Sequence, residues 1–376
     1  MFSETLKIPS VILLLATGIA LNYVGGYLGY TIPDTKFLLE LLGIVGLIFI
    51  VLEGTLDLEL KKKKVPLIGK SLLAAVLILV ATCSIIGFIL YELLDIPIRN
   101  AIVYSVPLGV ISSAIAIPSV GTLSDKKKEF IVYESTFSDI LGIMIFNYVI
   151  LDNLLSNDSI ITFFIQLLII IGVSIFSTVF LLFLLNYTRS HIKFYLIFAI
   201  LILIYSISKM FHLPSLLLIL IFGLMLNNAG LFIKGKLANY LHLEHLGQVT
   251  AELKLITSET AFIVRTFFFL IFGYSINLIL LQELDTVVIG SLIIITILIT
   301  RLIFLRSISY KHVFPEVFIA PRGLITIVLF YSIPPHLQSI AFSEGILFYV
   351  IIVSSIIMML GIMFSDTKYR TELDDI

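Results

Sequence analysis

The apolar residues of this chain are gathered into runs that are each long enough to cross a lipid bilayer. A spanning helix needs about 20 consecutive apolar residues. Hydrophobic residues make up 59% of the 376 positions, and charged residues only 13%. A soluble domain of this size carries about twice that charged fraction. The composition therefore predicts an all-α polytopic membrane protein.

Twelve candidate spanning segments can be placed along the chain. They cover residues 8–30, 37–58, 68–93, 99–123, 130–151, 160–186, 193–210, 214–230, 257–281, 286–307, 315–333 and 345–364. The connections are short, except for the polar stretch 231–256, and the tail 365–376 is too short to fold alone. We expect a single transmembrane domain followed by a short tail.

Lysine and arginine are distributed unevenly between the two sides that this segment count defines. Of the 24 basic residues, 18 fall on the side that holds both termini and three fall on the opposite side. Cytoplasmic loops carry an excess of lysine and arginine. We therefore predict that both termini are cytoplasmic, and we expect the cell inner membrane as the location.

The fourth and eleventh segments contain residues that disturb helices. Pro118 lies in the fourth segment, and Pro321 and Gly323 lie in the eleventh. Irregular backbone is tolerated at membrane depth only where protein or a wet cavity satisfies it. Segments seven apart cross the membrane in opposite senses, as in an inverted-topology repeat whose ion site lies between broken helices. We predict that these two segments are discontinuous and cross; simple proline kinks are the alternative. The repeats would cover about 8–151 and 193–364, with 160–186 as a linker helix.

The fifth segment carries two carboxylates at membrane depth. Charged groups there cost several kcal/mol, so a chain keeps them where they pair, bind an ion or carry a proton. Ser135 and Asp139 are four residues apart and share one helix face, while Glu134 and Ser138 share the neighbouring face. This pattern indicates ion transport.

Our hypothesis gives the two acids different roles. Glu134 pairs with Arg322 of the eleventh segment and acts as a fixed brace. Asp139 has no cationic partner, so it holds either a proton or a dehydrated monovalent cation, and this competition couples their opposite movements. Hard cations prefer oxygen ligands, and the further candidate ligands are Ser112, Ser113, Ser135 and Ser138.

Three other groups of charged residues have simpler interpretations. Arg301 and Arg306 lie towards the cytoplasmic end of the tenth segment, where long side chains reach the interface. The runs Lys61–Lys64 and Lys126–Lys128 are topology signals. His242 and His245 of the stretch 231–256 are interpreted as part of a solvated loop face, with a cytoplasmic pH sensor as the alternative.

These motifs resemble those of the monovalent cation:proton antiporter superfamily, the sodium/proton exchangers. The stretch Glu134–Asp139 is similar to the family's glutamate-serine-leucine-leucine-asparagine-aspartate stretch on a core helix. Arg322 and Gly323 are similar to an arginine-glycine pair on a late broken helix. Two weaker similarities are a phenylalanine-rich run at 267–273 and an asparagine-containing helix end at 223–228.

The resemblance implies a specific activity and assembly. It implies exchange of protons for sodium, with lithium or potassium as alternatives, by a homodimer whose core domain moves against a dimerisation domain, without a cofactor. The family's acid–arginine pair maps onto Glu134 and Arg322, and its ion-carrying aspartate onto Asp139. The family's threonine-aspartate-proline is replaced here by Ala116-Ile117-Pro118, and its asparagine by Ser138. One free carboxylate implies electroneutral exchange.

Other functions remain as alternatives at this point. A channel or membrane sensor on the same scaffold is favoured by the missing acid at Ile117. A second alternative is a symporter that binds a small organic anion near Arg322. A membrane enzyme is not indicated, because the sequence offers no nucleophile–base pair, no zinc-ligand spacing and no phosphate-binding loop.

Overall fold

The protein is built from helices grouped in two compact units. The computed structural model describes residues 10–29, 35–121, 123–151, 157–187, 193–210, 215–232, 243–308 and 313–364, and these form α-helices, short 3₁₀ turns and connecting segments. Unit 1 comprises Met1–Ile44, Pro66–Ile150 and Arg265–Ile376, and unit 2 comprises Val45–Val65 and Leu151–Val264.

The α-helices follow one another along the described ranges, and each of the twelve predicted segments overlaps at least one of them. They are α1 (Ser10–Leu28), α2 (Thr35–Asp57), α3 (Val65–Leu94), α4 (Ile98–Gly109), α5 (Ser113–Ser119), α6 (Asp125–Val149), α7 (Asn157–Tyr187), α8 (Lys193–Met210), α9 (Ser215–Asn227), α10 (Ala229–Phe232), α11 (Leu243–Ser275), α12 (Leu284–Ile308), α13 (Leu324–Tyr331) and α14 (Glu344–Phe364).

Many of these helices are long and apolar enough to span a bilayer. Seven spans within the described residues meet that criterion: Ser10–Leu28, Phe37–Asp57, Val65–Leu94, Ile98–Ser119, Val249–Ser275, Leu284–Ile308 and Glu344–Phe364. Shorter apolar helices cover Leu168–Phe183, Phe194–Met210 and Leu216–Asn227. The prediction of an all-α polytopic membrane protein is confirmed.

Unit 1 is held together by close helix contacts around α6. This helix packs against α4 and α5, α13 packs against α4, and α12 packs against α14. Gly142 of α6 faces Val110 so closely that a Cβ at this glycine would meet the valine side chain. Small residues allow membrane helices to approach in this way. The packing brings α6 directly onto the segment that joins α4 to α5.

Unit 2 is centred on α9, which packs against α7 and α8. Gly223 of α9 lies against Thr55, in the part of α2 that belongs to this unit. Beyond the end of α9, the Asn228 side chain donates to the Leu58 carbonyl at 2.9 Å and accepts from the Leu60 N–H at 2.7 Å. The asparagine therefore satisfies backbone groups just beyond the end of α2.

Two predictions need correction, one about the place of a helix break and one about a polar connection. The break in the fourth segment lies at residues 110–112, and Pro118 stays inside α5. The helix continues through Pro118 because the carbonyl of Ala114, four residues earlier, accepts a hydrogen bond from Arg265 Nη1 at 3.0 Å instead. The stretch 231–256, predicted as a polar connection, is helical from Leu243 onward.

The break in the eleventh segment lies where it was predicted. Residues 319–323, which include Pro321 and Gly323, are unwound before α13 begins. The tail 365–376 lies outside the described residues, and the division into inverted repeats stays a prediction.

Candidate ion-binding site at the crossed helix breaks

The two unwound segments of unit 1 meet inside the protein. Ser112, at the end of the first break, donates its backbone N–H to the carbonyl of Pro321 in the second break at 2.9 Å. Both residues that flank this contact, Ile111 and Arg322, are buried. Backbone without helical partners is costly at membrane depth, so this cross-connection satisfies groups that the breaks expose. The predicted crossing of two discontinuous segments is present.

Arg322 caps the end of α4. Its Nε donates to the carbonyl of Leu108 at 2.8 Å and its Nη2 to the carbonyl of Gly109 at 3.0 Å. Its Nη1 donates to the carbonyl of Ala320 at 2.6 Å. The last carbonyls of a helix lack intrahelical partners and carry partial negative charge, so a cation is stabilising there.

Asp139 of α6 contacts the opposite end of the first break, where α5 begins. Its carboxylate Oδ2 accepts the backbone N–H of Ser113 at 3.3 Å. The side chain is 2% exposed, and its Oδ1 is buried without a hydrogen-bond partner among the described residues. A helix N-terminus favours an anion. Only one of the two carboxylate oxygens is bonded there, so α5 stabilises the ionised carboxylate only in part.

The predicted serine ligands do not all reach this point. Ser138 Oγ accepts the backbone N–H of Ile111 at 3.0 Å, which ties α6 to the first break. Ser112 Oγ is buried and has no hydrogen-bond partner in the described part of the chain. Ser135 Oγ donates to the carbonyl of Val132 in its own helix at 3.3 Å. The structure therefore brings Asp139, Ser112, Ser113 and Ser138 to the break, whereas the Ser135 hydroxyl bonds within α6.

Gly323 allows the two breaks to approach. A Cβ at this position would lie 2.5 Å from Cδ1 of Ile115 and 2.9 Å from Oγ of Ser112. Any larger residue at 323 would push against the beginning of α5. Glycine is therefore needed here for close backbone approach rather than for flexibility.

The predicted ion pair between Glu134 and Arg322 is wrong in its basic partner. Glu134 is held by Arg301 of α12, whose Nη1 and Nη2 donate to the two carboxylate oxygens at 2.6 and 2.8 Å. Arg322 instead directs its guanidinium to three backbone carbonyls. Arg301 is fully buried and does not reach the interface as predicted, whereas Arg306 is exposed.

The residues that precede Arg301 in the sequence indicate that it is buried. Thr296 and Thr300 precede it on α12, and Thr300 shares a hydrogen bond of 2.9 Å with Thr82 of α3. Hydroxyl residues at helical spacing mark a polar face of an otherwise apolar helix that points into the protein. Arg301 follows Thr300 directly, so the contact of Thr300 with α3 shows that this part of α12 is packed against protein, where an arginine finds buried partners.

Two further charged residues near the site were not identified from the sequence. Glu316, in the 3₁₀ turn Glu316–Phe318, is 2% exposed, and its Oε1 lies 2.7 Å from Nζ of Lys127 at the start of α6. Lys127 also donates to the carbonyl of Phe314 at 2.8 Å. Glu316 stands at the edge of an apolar run and Lys127 in a lysine cluster, so both look like interfacial residues in the sequence.

The groups that the crossing offers to a ligand are oxygen atoms. No group of three or more His, Cys, Asp or Glu residues that could hold a metal ion occurs in the ranges that the structure describes. At the break, Oδ1 of Asp139 and Oγ of Ser112 have no hydrogen-bond partner among the residues that the structure describes. One carboxylate with neutral oxygens suits a monovalent cation or a proton.

Comparisons with known proteins agree with this picture. The profile of the family described as "Sodium/hydrogen exchanger, transmembrane" matches residues 1–367. A structure of the sodium proton antiporter MjNhaP1 from Methanocaldococcus jannaschii at pH 8 is similar with a TM-score of 0.68 and 19% identity, covering 96% of this chain and 94% of that one. An electron microscopy structure of the same antiporter gives a TM-score of 0.67 and 18% identity, with 98% and 91% covered.

The structural likeness shows the fold, and the family profile shows the family. No significant relative is found among curated proteins. The profile covers nearly the whole chain, including both helix breaks and both buried acids of α6. The chain therefore belongs to the sodium/hydrogen exchanger family of integral membrane transporters, which are not enzymes, and its activity class is cation:proton antiport.

Proposed function

We propose that the protein exchanges one proton for one monovalent cation, with Asp139 as the shared site. The observation that carries this proposal is the buried Oδ1 of Asp139, which lacks a hydrogen-bond partner among the described residues and lies at the crossed breaks. A buried ionised carboxylate without a counterion is costly. Asp139 therefore carries either a proton or a metal cation, and the two ligands compete.

Sodium is the first choice for the cation, with lithium and potassium as alternatives. Sodium proton antiport is what MjNhaP1, the structurally similar protein, is named for. The Oγ of Ser112 offers a neutral oxygen near the same crossing, since it also lacks a partner in the described chain. Electroneutral exchange follows from a single exchanging carboxylate, because Glu134 is already neutralised by Arg301.

The orientation and assembly are part of the same proposal. Alternating access moves the Asp139 site between the two sides of the cell inner membrane, with both termini in the cytoplasm as the distribution of basic residues predicts. The resemblance to the exchangers implies a homodimer. Oligomeric state can be measured on the purified protein by light scattering in detergent.

The first prediction concerns the acid itself. Replacing Asp139 by Asn removes the charge but keeps the shape, so sodium-driven proton movement in proteoliposomes should fall to the level of empty vesicles. The matched control is Asp125→Asn in the exposed first turn of the same helix, which should exchange normally. A pH change by Asp139→Asn vesicles at the wild-type rate contradicts the proposal.

A channel or sensor on the exchanger scaffold is the second candidate. The break at 110–112 carries Val110, Ile111 and Ser112, so this half of the crossing supplies no carboxylate. A channel would conduct sodium without moving protons in the opposite direction. Symport of an organic anion at Arg322 has less support, because its guanidinium already donates to three carbonyls.

A further inference from the structure

Four charged residues of unit 1 form a closed ring beside the ion site. Lys127 pairs with the Glu316 carboxylate at 2.7 Å, the Glu316 carbonyl accepts from Arg301 Nε at 2.7 Å, and Arg301 binds Glu134 through two hydrogen bonds. Lys127 and Glu134 are seven residues apart on α6, which is two helical turns, so they lie on the same face. The ring joins α6, α12 and the 3₁₀ turn that precedes the second break.

The ring is buried and its formal charges balance. Glu134, Arg301 and Glu316 are almost fully buried, while the Lys127 side chain is 14% exposed and so has access to the surface. Removing one member of a buried ion pair leaves an uncompensated charge. Each ring member therefore depends on the other three.

The position of Arg301 depends on the short turn that contains Glu316. The guanidinium is held on one side by Glu134 and on the other by the carbonyl of Glu316. The backbone hydrogen bonds of this turn, from Phe318 N–H to the Pro315 carbonyl at 2.9 Å and from Ile319 N–H to the Glu316 carbonyl at 3.2 Å, lie within the turn and do not connect it to α6. It is anchored to α6 by the Lys127–Glu316 contact and by the bond from Lys127 to the carbonyl of Phe314.

We propose that Lys127 and Glu316 are positioning residues for the exchange reaction. They hold Arg301 against Glu134, which keeps Glu134 neutralised and leaves Asp139 as the one carboxylate that exchanges its ligand. This inference rests on the proposed function of Asp139. If the Lys127–Glu316 contact is lost, Arg301 is released in part. The negative charge of Glu134, five residues from Asp139 on the same helix, is then no longer fully compensated.

The consequence is a shift in the pH dependence of exchange. On the alkaline side, exchange is limited by return of a proton to Asp139. A negative charge nearby makes Asp139 bind its proton more tightly, so the alkaline limit moves to higher pH, by on the order of one pH unit for charges in a medium of intermediate dielectric constant. Among the described residues, the charged groups around α6 and the crossing include Arg301 of α12, Arg322 of the second break, Arg265 of α11, Glu316 with Lys127, and Arg99 of α4, which donates to the carbonyl of Ile150 just beyond α6 at 3.4 Å.

Charge variants separate this role from a simple field effect. If the ring residues act only through their own charges, Glu316→Gln should lower the alkaline limit, Lys127→Met should raise it, and the double variant should cancel both shifts. If they position Arg301, all three variants should raise the limit. Glu316→Asp keeps the charge but shortens the side chain by one methylene group, so only positioning predicts that it also raises the limit.

The experiment measures sodium-driven pH changes by full-length protein in proteoliposomes between pH 6 and 10. Lys128→Met, at an exposed position beside Lys127, serves as the control and should leave the limit unchanged. Shifts of opposite sign for Glu316→Gln and Lys127→Met, or an unshifted Glu316→Asp, overturn the inference. If Glu316→Gln fails to fold, Glu316→Asp decides. Wild-type protein that exchanges nothing refutes the proposed function instead.

Discussion

The two fully buried arginines in unit 1, Arg301 and Arg322, differ in what their guanidinium groups bind. Arg301 makes a two-point contact with a carboxylate, whereas Arg322 donates to three backbone carbonyls. Arginine suits both tasks because its planar group carries five donors and stays charged. Each arginine thereby satisfies groups that would otherwise be left without partners away from water.

The second prediction tests the Arg301–Glu134 pair through stability. Arg301→Met leaves the Glu134 charge buried and unpaired, which should cost about 3–5 kcal/mol and lower the unfolding temperature in detergent, followed by circular dichroism. Replacing both residues by Met should restore most of that loss, because a well-packed apolar pair is often as stable as a buried ion pair. Arg306→Met, at an exposed position on α12, should unfold like the wild type.

A double variant that is no more stable than Arg301→Met would contradict this interpretation. It would mean that Arg301 stabilises the protein chiefly through the Glu316 carbonyl rather than through Glu134.

Sequence reasoning at this scale identified the buried acids but not the partner of Glu134. Burial of charge in an apolar segment follows from composition, so Glu134, Asp139 and Arg322 could be selected directly. Which arginine pairs with Glu134 depends on where the α4 carbonyls are exposed, and that follows from the position of the break. Arg322 is drawn to those carbonyls, which leaves Arg301 for the acid.

At the scale of helices, Pro118 illustrates why a proline alone does not locate a break. Its missing N–H would otherwise donate to the carbonyl of Ala114 within α5. Arg265 of α11 supplies that donor from outside the helix. The break forms six residues earlier, at 110–112, where Ser112 and Ile111 find partners in Pro321 and Ser138. Such partners come from distant parts of the chain, so local sequence does not reveal them.

The third prediction concerns the hydrogen bond that Arg265 donates in place of the missing N–H of Pro118. Arg265→Met should leave the Ala114 carbonyl without its donor and destabilise the protein by about 1–3 kcal/mol. The same change in a Pro118→Ala background should cost less, because an alanine in place of the proline brings back the backbone N–H. Arg265→Lys keeps one donor and should be intermediate. Thermal unfolding of these variants in detergent gives the comparison, and equal losses in both backgrounds would contradict it.

At the scale of the whole molecule, every residue of the candidate site belongs to unit 1. Its parts come from two stretches of chain, Pro66–Ile150 and Arg265–Ile376, which are separated in the sequence by residues Leu151–Val264 of unit 2. An inverted repeat, which stays a prediction for this chain, would pair an early broken segment with a late one in this way. Segment number and length could be predicted from hydropathy, whereas the grouping of helices into units depends on long-range packing that hydropathy does not encode.

The charge balance of unit 1 leads to the last prediction, that transport leaves no net charge behind. The formal charges of Lys127, Glu134, Arg301 and Glu316 sum to zero, and in the proposed mechanism Asp139 carries a proton in one direction and a monovalent cation in the other. The initial rate of sodium-driven pH change in proteoliposomes should therefore be the same with and without thiocyanate, a permeant anion that removes membrane potential. Lithium and potassium gradients in the same vesicles rank the cations, and a protonophore added last verifies that the vesicles are tight. Acceleration by thiocyanate would mean that a net charge crosses the membrane in each cycle, which would contradict one-for-one exchange at Asp139.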